Sequence, residues 1–482
     1  MGTSPDCGFS ISAERAAYVV KHFGALTCSL QALLDRSIWT PSSRDGGYCL
    51  GAEDLAATKL EAVPYDAIMR ALMYGVQPEV QAIGETDNRL LRMLAQTPTN
   101  LVDIDEPGFL RRDWVVTKPR LVGICGSESK AVFLDYASLI DPTNALLQNP
   151  MKNFVSMPHV MGHEVIADVV AVGPEAEGLE PGDRVALNPW LTCVTRGVLP
   201  VCPACEAGNL SQCHSFGKGA FAPGMHIGMC VDVNGGFADL MPAHHSMLFK
   251  VPEGLTDEQV VFADPFSVSL HAVTRHPPKP GSKVLVYGAG ALGQCAVAIL
   301  RALHPTTEVM VVARFEAQRK LAESLGAQTV VHEPPLEVIE RVTSWSGGVL
   351  QPADGLPMAF PGGIEVVYDT VGAAETLEVG CRVLGARGTL VKLGMHGAAK
   401  WEDTPVYCKE ITFTGSNAFG IEEVEGVRKH GIAHFLDMVD SGRIDLTPML
   451  THTFRLEEWR RAFTVLADQA TSGAIKVAID SR

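Results

Sequence analysis

The stretch Val284-Leu-Val-Tyr-Gly288-Ala-Gly290-Ala-Leu292-Gly293 decides the fold of this 482-residue chain. An apolar run stops at spaced glycines and an apolar helical segment follows, which is the context that a dinucleotide-binding fingerprint requires. The first glycine permits a tight turn, the second lets the backbone approach a pyrophosphate, and the third lets the helix pack closely. The helix N-terminus offers unpaired N–H groups to the anion. We therefore predict cofactor binding at Gly288, Gly290, Leu292 and Gly293; the alternative is a turn that binds nothing.

Apolar strands and longer helical stretches alternate from this fingerprint onward. Residues 284–287 and 309–313 read as strands, each followed by a helix, at 291–303 and 316–325. Further strands are predicted at 363–369, 388–393 and 411–415. Strand, helix, strand, helix in that order predicts an α/β fold, a doubly wound parallel sheet with helices on both faces.

The sequence before the fingerprint has a different pattern of segment lengths and residue types. From residue 67 the segments are short and β-branched and are bounded by Gly, Pro and Asp, which favours an irregular, mostly β domain. Residues 1–64 read as a separate N-terminal extension of unknown role. An interaction or oligomerisation arm is the alternative to a loosely attached leader.

Composition excludes several classes of partner. The formal net charge of −16 disfavours nucleic acid, because phosphate binding needs clustered Lys and Arg. No stretch approaches the ~20 uninterrupted apolar residues that span a bilayer, and the N-terminus does not resemble a signal peptide. Twelve cysteines are too sparse for a disulfide scaffold. We expect a cytoplasmic protein with reduced thiols and a small-molecule substrate.

The strand at 309–313 bears on the choice of dinucleotide. An acidic residue that binds the ribose hydroxyls usually stands at the end of this strand, but here Ala313 is followed by Arg314. An arginine there can pair with a 2′-phosphate, so we favour NADP over NAD. The alternative is a surface arginine that does not touch the cofactor.

Four cysteines in one Pro- and Gly-rich loop have the spacing of a structural zinc site. Cys202 and Cys205 form a Cys-x-x-Cys pair, Cys213 follows, and Cys193 lies shortly upstream. Four thiolates close a tetrahedral shell, leave no position for substrate, and hold a loop that has little apolar surface to bury. The alternative is that these four cysteines are free thiols without a function.

A second set of metal-binding residue types is spread widely along the chain. Cys125, His163 and Asp264 would contribute one thiolate, one imidazole and one carboxylate, and such a set leaves a coordination position open for water or a substrate oxygen. Each residue alone is weak support, because isolated buried Cys and His residues are usually structural. Together they predict a catalytic zinc.

Taken in order, these motifs resemble the zinc-dependent medium-chain dehydrogenases, in the branch of threonine and sorbitol dehydrogenases. The resemblance runs from about Met69 to the end and rests on the following pieces: Gly-Ile-Cys-Gly-Ser at 123–127, Gly-His-Glu at 162–164, Gly-Asp-Arg at 182–184, the cysteine loop, Asn-Gly-Gly-Phe-Ala-Asp at 234–239, Asp-Pro-Phe at 264–266, the glycine fingerprint, Asp-Thr-Val-Gly at 369–372 and Gly-Ala-Ile-Lys-Val at 473–477.

The resemblance implies a GroES-like catalytic domain at 65–265, a Rossmann domain at 266–430, and a C-terminal segment, 431–482, that completes the catalytic domain. It implies that Cys125 and His163 bind catalytic zinc, with Glu164 as the third or exchanging ligand. Asp264 stands where relatives carry a Glu, Cys or Asp ligand.

The resemblance also implies a proton relay and a family habit of assembly. Ser127 matches the hydroxyl that bonds the substrate oxygen, and its alternative role is a turn serine. Lys130 replaces the usual outer histidine, and Glu128 replaces the Asp that steadies the zinc-binding histidine. Members of the family usually form homodimers or homotetramers, so the resemblance implies such an assembly, joined near residues 411–419.

The expected reaction is hydride transfer between an alcohol, or the matching carbonyl, and NAD(P), with one catalytic and one structural zinc per chain. Two rivals remain at this point: a zinc-free enzyme like the quinone reductases, and a non-catalytic nucleotide-binding relative. Loops that include residues 133–152 and the insert at 345–361 are expected to line the substrate pocket, but the sequence does not place the individual residues that contact substrate.

Overall fold

The computed structural model describes residues 67–134, 154–331, 334–395 and 400–482. The expected N-terminal extension, 1–64, and most of the loop at 133–152 lie outside the described residues.

The strands are, in chain order, β1 Ile68–Tyr74, β2 Thr99–Asp105, β3 Trp114–Gly123, β4 His159–Val160, β5 Glu164–Val172, β6 Arg184–Leu187, β7 Met241–His244, β8 Leu248–Lys250, β9 Lys283–Tyr287, β10 Glu308–Ala313, β11 Gln328–Val331, β12 Leu350–Gln351, β13 Met358–Ala359, β14 Ile364–Asp369, β15 Leu384–Lys392, β16 Thr412–Gly415, β17 Ile421–Val424, β18 Val427–His430, β19 Leu450–Phe454 and β20 Lys476–Asp480.

The helices are α1 Arg89–Leu94, α2 Gly126–Val132, α3 Pro203–Glu206, α4 Asp257–Val260, α5 Ala263–Arg275, α6 Ala291–Leu303, α7 Glu316–Ser324, α8 Pro335–Ser346, α9 Ala374–Val383, α10 Thr404–Cys408, α11 Gly431–Asp440, α12 Trp459–Ala467 and α13 Gln469–Ser472. Within the described residues, no helix combines the length and the apolarity that crossing a membrane requires.

Six parallel strands form the dinucleotide half of the fold. Their order is β11-β10-β9-β14-β15-β16, so the chain moves outward from β9 in one direction and then from β14 in the other. This is the doubly wound order in which ligands bind at the switch point, here between β9 and β14. The predicted parallel sheet is confirmed.

A seven-stranded sheet in the other half combines strands from residues 114–250 with two strands near the C-terminal end of the described chain. Its order is β19-β20-β3-β5-β6-β8, and β7 also pairs with β3. The C-terminal strand β20 runs antiparallel to β3, with Ala478 opposite Gly123. On the other side of β3, Glu164 at the start of β5 is also opposite Gly123. Three strands distant in sequence therefore lie side by side where the metal-binding motifs stand.

A buried carboxylate ties this sheet to its neighbours. The Asp257 side chain is 1% exposed and accepts hydrogen bonds from Arg120 at 2.8 Å, Arg184 at 3.3 Å and Arg482 at 3.3 Å. The Gly-Asp-Arg motif at 182–184 thus has a structural role, since its arginine binds this carboxylate.

We expect Asp257→Asn to lower the free energy of unfolding by about 2 kcal/mol, because three guanidinium groups lose their shared anion. The loss stays moderate because the arginines are 25–31% exposed and can turn to solvent. Urea denaturation followed by circular dichroism measures it. Glu410→Gln is the matched control, since its pair with Arg387 is 67% and 80% exposed and its loss should change stability by about 0.5 kcal/mol or less. Equal effects of the two variants would contradict this account.

Candidate active site

The predicted catalytic ligands meet at the end of β3 and the start of β5. Cys125 follows β3 and caps the N-terminus of α2, while His163 immediately precedes β5. Cys125, His163 and Glu164 each offer one ligand atom, and these atoms all lie within 4.8 Å of one another. His163 and Glu164 are buried. A thiolate, an imidazole and a carboxylate in this arrangement fit a zinc ion.

The Glu128 carboxylate forms hydrogen bonds that orient the residues of this cluster. Its carboxylate accepts hydrogen bonds from the N–H groups of Cys125 at 2.9 Å and Gly162 at 2.8 Å, and it bonds His163 Nδ1 at 2.9 Å. Burial alone would raise the pKa of Glu128, but His163 and the two N–H donors hold it below its usual value. An ionised Glu128 fixes the His163 tautomer so that Nε2 is the free ligand atom.

Asp264 lies on the first turn of α5 and is buried. It is not a member of the three-residue cluster among the described residues. Burial raises the pKa of Asp264 to about 7, and the nearby Glu164 adds to the rise. The same helix contacts the glycine fingerprint, since Ser269 Oγ donates to the Leu292 carbonyl at 2.9 Å. Asp264 is therefore placed between the metal cluster and the cofactor loop.

The relay candidates both lie on α2. Ser127 is half-buried in its first turn, and Lys130, also half-buried, follows three residues later. Residues three apart share a face of a helix, so the two side chains lie in line along α2.

Three buried residues of the site carry no role in the sequence motifs. Lys476 forms an ion pair with Glu164 and is 2% exposed. His226 lies beside His163, with ring centroids 4.6 Å apart, and Trp190 lies 5.5 Å from His226. Burial together with His163 lowers the pKa of His226 to about 3. Of these three residues, Lys476 alone could have been noticed in the sequence, because it is a single charge at the start of the otherwise apolar run Val-Ala-Ile of β20.

The four cysteines of the loop come together. Ligand atoms of Cys193, Cys202, Cys205 and Cys213 all lie within 4.8 Å of one another, and the Cys193 and Cys213 sulfurs are 3.6 Å apart. Tetrahedral zinc with Zn–S bonds of about 2.3 Å separates its sulfurs by about 3.8 Å. The thiols accept N–H donors from the loop backbone, Cys202 to Cys193 at 3.3 Å and Ser215 to Cys213 at 3.3 Å. The residues fit a structural zinc.

The glycine fingerprint lies at the switch point of the parallel sheet. Gly288 has φ of +97°, and a Cβ there would meet Val371 and Thr370 in the loop after β14. Nothing lies within 4 Å of the position of a Cβ on Gly290, so the N-terminus of α6 faces open space. In that loop, Asp369 accepts the N–H groups of Val371 and Gly372, at 3.0 and 2.9 Å. This crevice fits a pyrophosphate.

The remaining sequence candidates lie away from the metal cluster. Arg314 follows β10, is exposed, and places its guanidinium 5.3 Å from the Phe315 ring centroid. The insert between α8 and β14 enters β14 at its amino end, opposite the edge that carries the fingerprint. A pocket-lining role for this insert, residues 345–361, stays a prediction.

Two family models match this chain, one in the half that carries the metal cluster and one in the dinucleotide half. Residues 111–253 match the family model described as the alcohol dehydrogenase GroES-like domain, and residues 291–431 match that of the zinc-binding dehydrogenase. The chain belongs to the zinc-dependent medium-chain alcohol dehydrogenases. Its relatives place it in the sorbitol dehydrogenase-like branch. The predicted family, fold and oxidoreductase class are confirmed, as are zinc and NAD(P) as cofactors.

Individual relatives of this dehydrogenase are distant. Sorbitol dehydrogenase of Bacillus subtilis is 26% identical over 357 residues, which are 73% of this chain and 86% of the relative. D-arabinitol dehydrogenase 1 of Uromyces fabae is 25% identical over 383 residues, 79% of this chain and 93% of the relative. A zinc-binding dehydrogenase of Sinorhizobium meliloti, solved bound to NADP, has a TM-score of 0.61 and 24% identity, and covers 86% of this chain and 99% of its own.

Proposed function

We propose that this dehydrogenase oxidises a secondary hydroxyl of a polyol to the ketone with NADP⁺, and reduces the ketone in reverse. The observation that carries the proposal is the cluster of Cys125, His163 and Glu164 at the end of β3. Two relatives, sorbitol and D-arabinitol dehydrogenases, are named for polyols, which supports this substrate class.

The chain's own residues would divide the work as follows. Zinc held by Cys125, His163 and a carboxylate of Glu164 or Asp264 would supply a Lewis acid for the substrate oxygen, and NADP⁺ the hydride acceptor. Glu128 holds His163 in orientation. Ser127 Oγ would accept the proton of the substrate hydroxyl while its own hydroxyl proton passes to Lys130 in the neutral amine form, which would release a proton to solvent. The buried histidines and Trp190 exclude water from the cleft.

The cofactor preference rests on the end of β10. Ala313 is fully buried there, and the exposed Arg314 follows it. Without a carboxylate to repel it, a 2′-phosphate is free to pair with this guanidinium.

We expect Ala313→Asp to raise the KM for NADP⁺ by about tenfold or more, because the new carboxylate repels the 2′-phosphate and binds the ribose hydroxyls of NAD⁺ instead. Initial-rate kinetics with both cofactors measures it. Arg314→Gln is the companion variant. It should raise the KM for NADP⁺ and leave the KM for NAD⁺ unchanged. An unchanged ratio of the two KM values in both variants would remove Arg314 from the cofactor site.

The proposed assembly is a homodimer or homotetramer. β16 is the terminal strand of the six-stranded sheet, and Phe413 on it is 42% exposed and stacked on Trp401. An open edge with an exposed aromatic side chain favours pairing with a second copy. Light scattering during gel filtration measures the mass.

The described cysteines are free thiols, which supports a reducing, cytoplasmic location.

The test of the function combines metal content with turnover. The purified chain is expected to hold two zinc ions, to reduce ketoses with NADPH faster than with NADH, and to prefer polyols over simple primary alcohols. Turnover without zinc would support a quinone-reductase-like enzyme, and cofactor binding without turnover would support a non-catalytic relative. Either result would overturn the proposal.

A further inference from the structure

A half-buried lysine, Lys392, lies at the carboxyl edge of the parallel sheet. It is the last residue of β15 and pairs in register with Asp369, the last residue of β14. Asp369 in turn pairs with Tyr287, which directly precedes the glycine fingerprint. The three residues form a row across the edge at which a doubly wound sheet binds its ligand.

The Lys392 side chain extends over the loop that follows β14. A Cβ on Gly372 would lie 3.0 Å from Lys392 Cε, so the end of the lysine stem lies against the open face of this glycine. The same loop is tied to the fingerprint, because Thr370 Oγ1 donates to the Tyr287 carbonyl at 2.9 Å and a Cβ on Gly288 would meet Thr370. Lys392 therefore reaches the loop that borders the cofactor crevice.

Within the described residues, the Lys392 ammonium forms neither a hydrogen bond nor an ion pair. Asp369 is near enough to feel its charge, but burial raises the pKa of this carboxyl despite Lys392 and the hydrogen bonds it accepts. Those bonds engage both Asp369 oxygens: Oδ1 accepts the N–H groups of Val371 and Gly372, and Oδ2 accepts the Thr376 hydroxyl at 2.9 Å. A lysine that has lost part of its water is stabilised by an anion, and this one is left to find it in a ligand.

The position of Lys392 in the sheet selects one anion of the cofactor. Neighbouring strands are about 4.8 Å apart, so the ends of β10 and β15, three strands from each other, are separated by on the order of 14 Å. Arg314, after β10, is the residue proposed for the 2′-phosphate, which leaves the pyrophosphate as the charged group on the side of β14 and β15. The first turn of α6 offers backbone N–H groups to this anion but carries no basic side chain. Lys392 supplies the full charge that the helix terminus lacks.

We propose that Lys392 binds the pyrophosphate of the nicotinamide dinucleotide and sets the affinity for NADP and NAD alike. The inference rests on the dinucleotide part of the proposed function and does not depend on the metal cluster. The role differs from that of Arg314, which concerns the 2′-phosphate alone, because both cofactors carry a pyrophosphate. Lys392 therefore holds the cofactor without distinguishing between the two.

The experiment measures binding without turnover, by calorimetric titration of the zinc-loaded enzyme with two nucleotide fragments. Adenosine 2′-phosphate lacks the pyrophosphate, and 2′-phospho-ADP-ribose contains it. We expect Lys392→Met to raise the Kd for 2′-phospho-ADP-ribose about tenfold, because one charge-assisted hydrogen bond is lost, and to leave the Kd for adenosine 2′-phosphate unchanged. NADPH and NADH should lose affinity by the same factor. Methionine keeps an unbranched stem over Gly372; Lys392→Gln carries the same expectation if the methionine variant folds poorly.

Two further variants and the salt dependence separate this role from a purely structural one. Lys392→Arg keeps the charge and should keep the Kd within about threefold of the wild type. Lys283→Met is the matched control: Lys283 is half-buried at the amino end of β9 and donates to the Trp345 carbonyl at 2.7 Å, so its loss should lower stability and leave both Kd values unchanged. Added salt should weaken the binding of 2′-phospho-ADP-ribose more steeply in the wild type than in Lys392→Met, because salt screens the charge that the variant lacks.

Three results would overturn the inference alone. In Lys392→Met, an unchanged Kd for 2′-phospho-ADP-ribose would mean that the ammonium is solvated or serves the substrate. An equal loss of affinity for both fragments, or a salt dependence equal to that of the wild type, would mean that the variant disturbs the fold of the crevice. A wild-type chain that binds neither fragment and neither cofactor would overturn the dinucleotide part of the proposed function as well.

Discussion

Replacing Cys125 by serine is expected to remove one of two zinc ions per chain and to lower kcat/KM by about three orders of magnitude. The cluster loses its one thiolate, and the imidazole of His163 and a carboxylate alone hold a metal weakly. The folded state should survive, because Cys125 is half-buried and its backbone N–H, which bonds Glu128, is retained. Plasma mass spectrometry of the metal and initial rates measure both changes.

The matched control for this change is Cys408→Ser, since Cys408 is exposed on α10. That variant should keep two zinc ions and wild-type turnover. Full zinc content in Cys125→Ser, or turnover within a few-fold of the wild type, would show that catalysis does not depend on a metal at this residue.

Cys213→Ser is expected to empty the four-cysteine loop and to lower the melting temperature by about 10 °C, which corresponds to a loss on the order of 5 kcal/mol. The damage should spread beyond the loop. Arg428 donates to the Ala207 carbonyl at 2.8 Å, and Ile421 N–H donates to the Gly208 carbonyl at 2.9 Å, so the loop supports the β17–β18 hairpin. Hydrogen exchange should increase in the loop and in this hairpin together.

Cys381→Ser is the control for a buried thiol outside the cluster, because Cys381 is fully buried on α9. We expect it to cost about 1–2 kcal/mol and to leave both zinc ions in place. If Cys213→Ser melted like Cys381→Ser and kept two zinc ions, the loop would not be a metal site.

Most of the dinucleotide half could be predicted from the sequence, because its signals are local. The helix predicted at 291–303 is observed as Ala291–Leu303, since Ala and Leu favour helix and the glycines mark its start. Strand β11 was not predicted. Its four residues, Gln328–Val331, are too short to show a period, and they become a strand only by pairing with β10.

The candidate ligands could also be predicted, because residue type and motif context were sufficient for Cys125 and His163. The Glu128 contact with His163 was implied by the family resemblance, and its 2.9 Å distance agrees. Lys476 stands in the quoted run Gly-Ala-Ile-Lys-Val at 473–477, but its contact with Glu164 could not be predicted. Its contact with Glu164 depends on the register of β20 on β3, and register is a property of tertiary structure that a single sequence does not display.

The position of Lys476 has a consequence for how the enzyme is made. It contacts a carbonyl 352 residues earlier in the chain. At about 5–20 residues per second, the ribosome delivers the thiolate and imidazole on the order of tens of seconds before the strand that completes their sheet. During that interval Glu164 has no cation partner, and the edge of β3 that later receives β20 has no strand to pair with. Nascent chains should therefore be most vulnerable to aggregation and to capture of a wrong metal just before release.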